Sequence, residues 1–236
     1  MVKVGCCGFP VSRSTYYGTF GCVEVQQTFY QPPREDTLRR WRSEAPEGFE
    51  FTIKAWQLIT HEPKSPTYRR LKLKIPEDRK DRYGAFKPTE EVLEAWEVTR
   101  LSAQALGARI IIFQTPLSFK PTDDALRNIR AFFGRIRRDG FILGWEPRGW
   151  PGEVVRSICE ELDLVHVVDP FSDEATWGGI VYWRLHGKGG YNYRYSQQEL
   201  EELRGRIEGD RPHYVMFNNT NMFEDARRFL RLLEDG

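Results

Sequence analysis

Eight short apolar runs recur along the chain, and each ends in polar residues or glycine. Val, Ile, Phe and Tyr dominate most of these runs, and their lengths are typical of β-strands. The run from Ile110 to Phe113 is apolar at every position, which indicates a parallel strand covered on both faces. The predicted strands are Val2–Cys6, Cys22–Gln26, Phe49–Ala55, Arg109–Gln114, Phe141–Glu146, Leu164–Asp169, Ile180–His186 and Tyr214–Asn218.

Helical periodicity lies between most of the predicted strands. Apolar residues step by three and four positions from Val92 to Leu106, from Ala125 to Ile136 and from Ala226 to Leu233, which predicts amphipathic helices. This alternation predicts an α/β fold with a parallel sheet. Eight strands favour a closed (β/α)8 barrel of the TIM type over an open doubly wound sheet. Residues 8–21 and 170–179 look like loops, so one or two barrel helices are expected to be missing or degenerate.

Length and composition narrow the class of protein. A chain of 236 residues fits one barrel domain over residues 1–236. The net charge of +1 gives no overall attraction to nucleic acid or membrane. The N-terminus turns polar too soon for a signal peptide, and no run approaches the roughly 18 apolar residues of a membrane span. We therefore expect a cytoplasmic protein with no membrane partner.

One long connection is unusually basic. Residues 61–88 hold nine Lys or Arg and four Asp or Glu, an excess of five positive charges. A loop of this length is either functional or a solvated insertion. As a functional element it would be a basic lid over an anionic ligand. Alternatively, residues 64–87 would contact the phosphates of a nucleic acid.

Charged and polar residues stand at the end of nearly every predicted strand, where barrel enzymes place their chemistry. A charge within an apolar strand is costly to bury unless it is paired. The pattern therefore predicts either a polar site or a structural ring of ion pairs. The candidate catalytic residues are Glu24, Glu146 and His186, and the candidate substrate-binding residues are Tyr30, Lys54, His61, Gln114, Arg148, Trp150, Asp169, Arg184, Asn218 and Asn219.

These residue types suit two chemistries. The basic side chains would bind a phosphate or carboxylate, while a glutamate or His186 transfers a proton. A divalent metal is the second option, with Glu24, Glu146, Asp169 and His186 as its ligands, although no cofactor is predicted. For the first chemistry, Arg184→Ala and Glu146→Gln are expected to abolish activity without loss of folding.

Six segments of the chain also follow a known pattern in order. They are Gly5-x-x-Gly8-Phe9, Val23–Tyr30, Phe51–Ala55 with Ile59–His61, Phe113-Gln114-x-Pro116-x-Ser118-Phe119, Tyr182-x-Arg184-Leu185-His186-Gly187, and Phe217–Thr220. With these segments the chain resembles the YecE-like family, domain of unknown function 72. The resemblance implies a TIM barrel but no established reaction. The family's Glu-Phe-Arg-His pattern is changed to Glu146-Pro147-Arg148-Gly149 here, so a role for that histidine does not carry over.

Three functions follow as hypotheses. The first is a hydrolase, isomerase or lyase that binds a small anionic or phosphorylated substrate at the C-terminal face of the barrel. The second is a protein that binds or processes nucleic acid, by analogy with endonuclease IV-like barrels. The third is a ligand-binding protein without catalysis. Fold analogy alone is a weak guide among them.

Overall fold

Eight parallel strands close into a barrel in the computed structural model, which describes residues 1–234. The strands follow one another in chain order, and the last pairs with the first. They are β1 Val2–Cys7, β2 Cys22–Val25, β3 Glu50–Lys54, β4 Ile110–Gln114, β5 Ile142–Glu146, β6 Val165–Val168, β7 Val181–Leu185 and β8 His213–Phe217. The predicted (β/α)8 architecture is confirmed.

The helices are α1 Arg13–Tyr17, α2 Gln27–Tyr30, α3 Glu35–Glu44, α4 Gln57–Thr60, α5 Glu90–Leu106, α6 Asp123–Arg135, α7 Gly152–Leu162, α8 Gln197–Gly205 and α9 Met222–Glu234. The connection from β1 to β2 contains only the five-residue α1, and the described connection from β6 to β7 contains no helix. These are the degenerate and missing barrel helices that the sequence predicts. None of the helices within residues 1–234 is both long and apolar enough to cross a bilayer.

Side chains alternate between the inside of the barrel and the helices around it. Outward-facing residues join the helices in the main core. The inside is filled by a separate apolar cluster that includes Cys22, Ile110, Ile112, Val165, Val167, Tyr182 and Met216. Gly144 on β5 makes room for this filling, because a Cβ there would lie 2.8 Å from side-chain atoms of Ile112 and Val167. The apolar filling gives way to charged side chains at the C-terminal end of the barrel.

The basic connection is tied to the barrel. It contains two short 3₁₀ helices, Pro66–Arg70 and Glu77–Arg82. Its end is anchored by Phe86, which is fully buried and donates its backbone N–H to Ile59. Its middle touches α2, where the guanidinium carbon of Arg70 lies 3.6 Å from the ring centroid of Tyr30. The connection therefore extends over the C-terminal ends of β2 and β3.

Candidate functional site

Arg184 is the centre of the charged layer at the C-terminal end of the barrel. Its side chain is fully buried. Nε and Nη2 donate to the two carboxylate oxygens of Glu24 at 3.0 and 2.8 Å. Nη1 donates to Glu146 and, at 3.3 Å, to the amide oxygen of Gln114. Strand β7 brings Arg184 here because it lies two residues after Tyr182 and shares its inward face.

Glu24 is held by hydrogen bonds on both of its oxygens. Besides Arg184, Tyr182 donates its hydroxyl to Glu24 Oε2 at 2.9 Å, and Gln26 donates to Oε1. The Tyr182 hydroxyl also lies 2.7 Å from the hydroxyl of Thr52. Four donors therefore converge on this fully buried carboxyl group. Hydrogen bonds to both of its oxygens fix the side chain, so Glu24 positions Arg184.

Glu146 and His186 form a second line of contacts that reaches solvent. His186 Nε2 lies 3.0 Å from Glu146 Oε1, and Asn218 Nδ2 lies 3.0 Å from His186 Nδ1. Because an amide nitrogen only donates, Nδ1 accepts and the ring proton is on Nε2, directed at Glu146. Burial opposes ionisation of Glu146, but the charge of Arg184, the hydrogen bond from His186 and the charge of Arg148 outweigh it and lower its pKa. Glu146 is therefore an anion that orients a partly exposed imidazole.

Asp169 shapes the backbone beside this pair. Its Oδ2 accepts the backbone N–H of His186 at 2.8 Å, and its Oδ1 accepts that of Phe171 at 3.0 Å. The carboxylate thus ties the loop after β6 to the end of β7.

Lys54 lies at the end of β3 without a counter-ion. The residue is 6% exposed, and its Nζ lies 3.6 Å from the ring centroid of Phe29. Within residues 1–234 no carboxylate oxygen comes within 4.0 Å of this nitrogen, since Arg184 takes both nearby glutamates. Burial, followed by the positive charge of Arg184, lowers the pKa of Lys54 to about 7.

A cavity of about 940 Å³ opens above Lys54. We call it the cationic cavity, because its described lining contains four basic side chains and no carboxylate. The basic residues come from β3, the loop before α3 and the 61–88 connection. The polar and charged lining residues include Gln26, Tyr30, Arg34, Lys54, Arg70, Lys72, Gln114, Tyr191 and Asn218.

A second cavity of about 470 Å³ lies between the ends of β5, β6 and β7. We call it the Glu146 cavity, and its lining includes Glu146, Arg148, Asp169 and His186. Tyr191, which is 54% exposed, lines both cavities. The Glu146 cavity and the cationic cavity therefore adjoin at the same face of the barrel.

The donor set does not fit a divalent metal. Within residues 1–234 there is no group of three or more potential metal ligands. The guanidinium of Arg184 occupies the space between Glu24 and Glu146, where a shared cation would have to sit. The carboxylate of Asp169 is directed at the backbone instead.

The ion-pair ring expected from the strand ends is present only in part. Arg184 pairs with Glu24 and Glu146, and Arg148 donates to Glu146 at 3.3 Å. Lys54 and Asp169 lie outside these pairs.

Three of the predicted site residues support the structure from behind the cavities. Trp150 stacks on Phe119 and donates its indole N–H to the backbone of that residue at 2.5 Å. Asn219 donates to Asp225 at 2.7 Å, toward α9. His61 lies behind Phe29, and burial, together with the charge of Lys54, lowers its pKa to about 3. None of the three lines either cavity.

Three residues at the site were not among the candidates predicted from the sequence: Tyr182, Arg34 and Cys7. Tyr182 shares the inward face of β7 with Arg184, so strand alternation could have found it. Cys7, at the end of β1, lines the cationic cavity. Its small side chain gave no signal in the sequence that it belongs to a site. Arg34 lies in an irregular loop and gave no periodic signal.

Fold and site define a (β/α)8 barrel protein whose C-terminal end is closed by a buried Arg–Glu network beneath two polar cavities. The chain belongs to the family described as DUF72, protein of unknown function, whose model matches residues 12–236. The resemblance drawn from the sequence is thereby confirmed.

Among curated proteins, the chain is 26% identical over 263 residues to the UPF0759 protein YunF of Bacillus subtilis (strain 168), covering 93% of this chain and 84% of that protein. A DUF72 family protein from Enterococcus faecalis V583 matches with a TM-score of 0.72 and 21% identity, over 99% of this chain and 98% of that one. D-psicose 3-epimerase, in a structure with D-fructose, matches with a TM-score of 0.62 and 12% identity over 99% and 98% of the chains. The structural likenesses show a shared barrel fold.

Proposed function

We propose that this protein is an enzyme that binds a small phosphorylated substrate at the C-terminal face of its barrel. The observation that carries the proposal is the cationic cavity, with four basic side chains and no carboxylate in its described lining. Its volume lies in the range of about 300–1,000 Å³ found for small-molecule sites. Phosphate oxygens form strong charge-assisted hydrogen bonds with arginine and lysine.

The distribution of ion pairs in the 61–88 connection supports an anionic ligand in the cationic cavity. Five of its basic residues lie within 4.0 Å of a carboxylate: Lys64, Arg79, Lys80, Arg82 and Lys87. Arg70 and Lys72 have no such partner within residues 1–234, and both line the cationic cavity. Cations without a carboxylate partner are free to bind an anion.

The adjoining Glu146 and His186 supply proton transfer. Glu146 is ionised and holds the imidazole by its Nε2 proton. The imidazole acts as a general acid or base when a ligand in the Glu146 cavity replaces Asn218 at Nδ1. The barrel shared with D-psicose 3-epimerase supports a sugar as the body of the substrate, and the cationic cavity supports the phosphate.

A thermal-shift panel of sugar phosphates, nucleotides and oligonucleotides tests the proposal. A ligand at a hundredfold excess over its Kd stabilises the folded state by about 2.7 kcal/mol. We expect a sugar phosphate to raise Tm, and Arg70→Ala to reduce this shift. The matched control is Arg69→Ala, which removes an exposed arginine next in sequence that does not line the cavity. Equal shifts in both variants would overturn the assignment of the site.

A nucleic acid is the second candidate ligand. Its supporting observation is that Arg69 and Lys74, on the same connection as Arg70 and Lys72, are exposed and also lack a carboxylate partner within residues 1–234. This hypothesis predicts oligonucleotide binding that weakens steeply with salt and depends on Arg69 as much as on Arg70. A small-molecule shift without turnover would instead support a ligand-binding protein.

A further inference from the structure

Lys54 is a buried lysine that the proton-transfer scheme leaves unused. Most buried lysines are paired, because an isolated ammonium is costly to remove from water. Here Arg184 binds both Glu24 and Glu146 and leaves Lys54 against the ring of Phe29. The residue nevertheless lines the cationic cavity. Within residues 1–234, Lys54 is therefore an amine at the wall of the cationic cavity with no carboxylate within 4.0 Å.

The surroundings of Lys54 make that amine a nucleophile. A lysine becomes nucleophilic when it is desolvated or placed beside another cation, and Lys54 meets both conditions. Burial and the charge of Arg184 lower its pKa to about 7, so at neutral pH a large fraction carries a free lone pair. Neutral lysines in such sites form Schiff bases with carbonyl compounds.

We propose that Lys54 forms an imine with the carbonyl carbon of an open-chain aldose or ketose phosphate bound in the cationic cavity. This inference rests on the proposed function, because binding of the phosphate brings the carbonyl to Lys54. The amine nitrogen attacks the carbonyl carbon, and the carbonyl oxygen takes a proton to give a carbinolamine. The hydroxyl then leaves as water and the C=N bond forms. Both hydrogens of the amine leave in that water, so no further reactant is required.

Two neighbouring aromatic rings set the distance between the reactive amine and the phosphate site. Lys54 Nζ lies 3.6 Å from the centroid of Phe29, and the guanidinium carbon of Arg70 lies 3.6 Å from the centroid of Tyr30. The two ring centroids are 5.0 Å apart. The sum of these distances is an upper bound on the separation of the amine and the guanidinium, so both lie near the same pair of rings. A carbonyl at one end and a phosphate at the other can engage both.

Reductive trapping tests the inference on the full chain. The protein is incubated with glyceraldehyde 3-phosphate, reduced with sodium cyanoborohydride and mapped by peptide mass spectrometry. We expect modification of Lys54 to exceed that of the exposed Lys74 by about tenfold, which corresponds to about 1.4 kcal/mol of selective binding. Lys54→Met should lose this adduct without any loss of Tm, because the change removes a buried amine and leaves an apolar chain against Phe29. Unphosphorylated glyceraldehyde should modify Lys54 much less.

The outcomes separate this inference from the proposed function. A rise in Tm with the sugar phosphate, together with no preference for Lys54 over Lys74, would overturn the imine and leave the phosphate site standing. A Lys54 adduct formed equally well without the phosphate would support the imine and remove phosphate recognition. Neither a Tm shift nor a Lys54 adduct would remove both.

Discussion

Replacing Arg184 with methionine is expected to destabilise the barrel strongly. The guanidinium is fully buried and binds two carboxylates, of which Glu24 is fully buried and Glu146 nearly so. Removing one partner of a buried ion pair costs about 3–5 kcal/mol, because the other charge stays buried without compensation. The sequence-based expectation that Arg184→Ala preserves folding does not fit this burial. In a chain of this size each kcal/mol lowers Tm by roughly 2–4 °C.

Urea unfolding followed by tryptophan fluorescence measures the loss, since seven tryptophans report on the fold. Arg148→Met is the matched control. Arg148 contacts the same Glu146 but its side chain is 32% exposed, and exposed pairs contribute only about 0–1 kcal/mol. Adding Glu24→Gln to Arg184→Met should recover part of the loss, because it removes one orphaned charge. An Arg184→Met protein within about 1 kcal/mol of wild type, or a double variant no more stable than the single one, would refute the reasoning.

Three further predictions concern stability. The folded pKa of Lys54, about 7, lies below its ordinary value of 10.5. The free energy of unfolding of the wild type should therefore rise as pH increases between these two values. The Lys54→Met variant should not show this rise, so the substitution should stabilise the protein most below pH 7. Urea unfolding of both proteins below pH 7 and above it measures the difference. Asp169→Ala should cost about 1–3 kcal/mol for each backbone N–H that it leaves unpaired, seen as a lower Tm. Gly144→Ala should cost about 1–3 kcal/mol by overpacking the barrel interior, measured by urea unfolding.

The changes at Asp169 and Gly144 each have a control variant. Glu174→Ala lies on the same loop as Asp169 but is exposed, so it should leave Tm unchanged. Gly152 is the first residue of α7, and within residues 1–234 a Cβ there would meet no atom within 4 Å beyond its chain neighbours and its own helix backbone. Gly152→Ala should therefore be neutral or stabilising. A loss in Gly152→Ala equal to that in Gly144→Ala would contradict the packing argument. For Lys54, the same pH dependence in wild type and in the methionine variant would contradict the assignment of its pKa.

The barrel could be predicted because apolar residues follow two repeats along the chain, one typical of strands and one typical of helices. Alternation within strands also places Glu24, Glu146 and Arg184 on inward faces, so a charged layer at this end of the barrel follows from the sequence alone. Which charges pair within it depends on side-chain reach across the closed barrel, and local sequence carries no such information. Alternation therefore could not show that Arg184 takes both glutamates and leaves Lys54 without one.

The residues just beyond the strands were harder to place. Trp150 and Asn219 follow β5 and β8 at points where the period of two has ended, so their directions depend on loop geometry. The excess positive charge of the 61–88 connection can likewise be counted from the sequence. The sequence does not show which of these cations pair with a carboxylate. Arg70 and Lys72 differ from Arg82 only because Glu91 lies beside Arg82.

The two sides of the cationic cavity are built from different parts of the fold, and they therefore differ in how readily their residues can be exchanged. On the barrel side, Lys54 and Gln114 stand beside a network whose loss threatens folding, so exchanges there must come in compensating combinations. On the other side, Arg34, Arg70 and Lys72 are carried by loops whose tips are exposed. Exchanging those loops between related barrels should therefore change the charge of the cavity lining, while Lys54 and the Arg184 network stay in place.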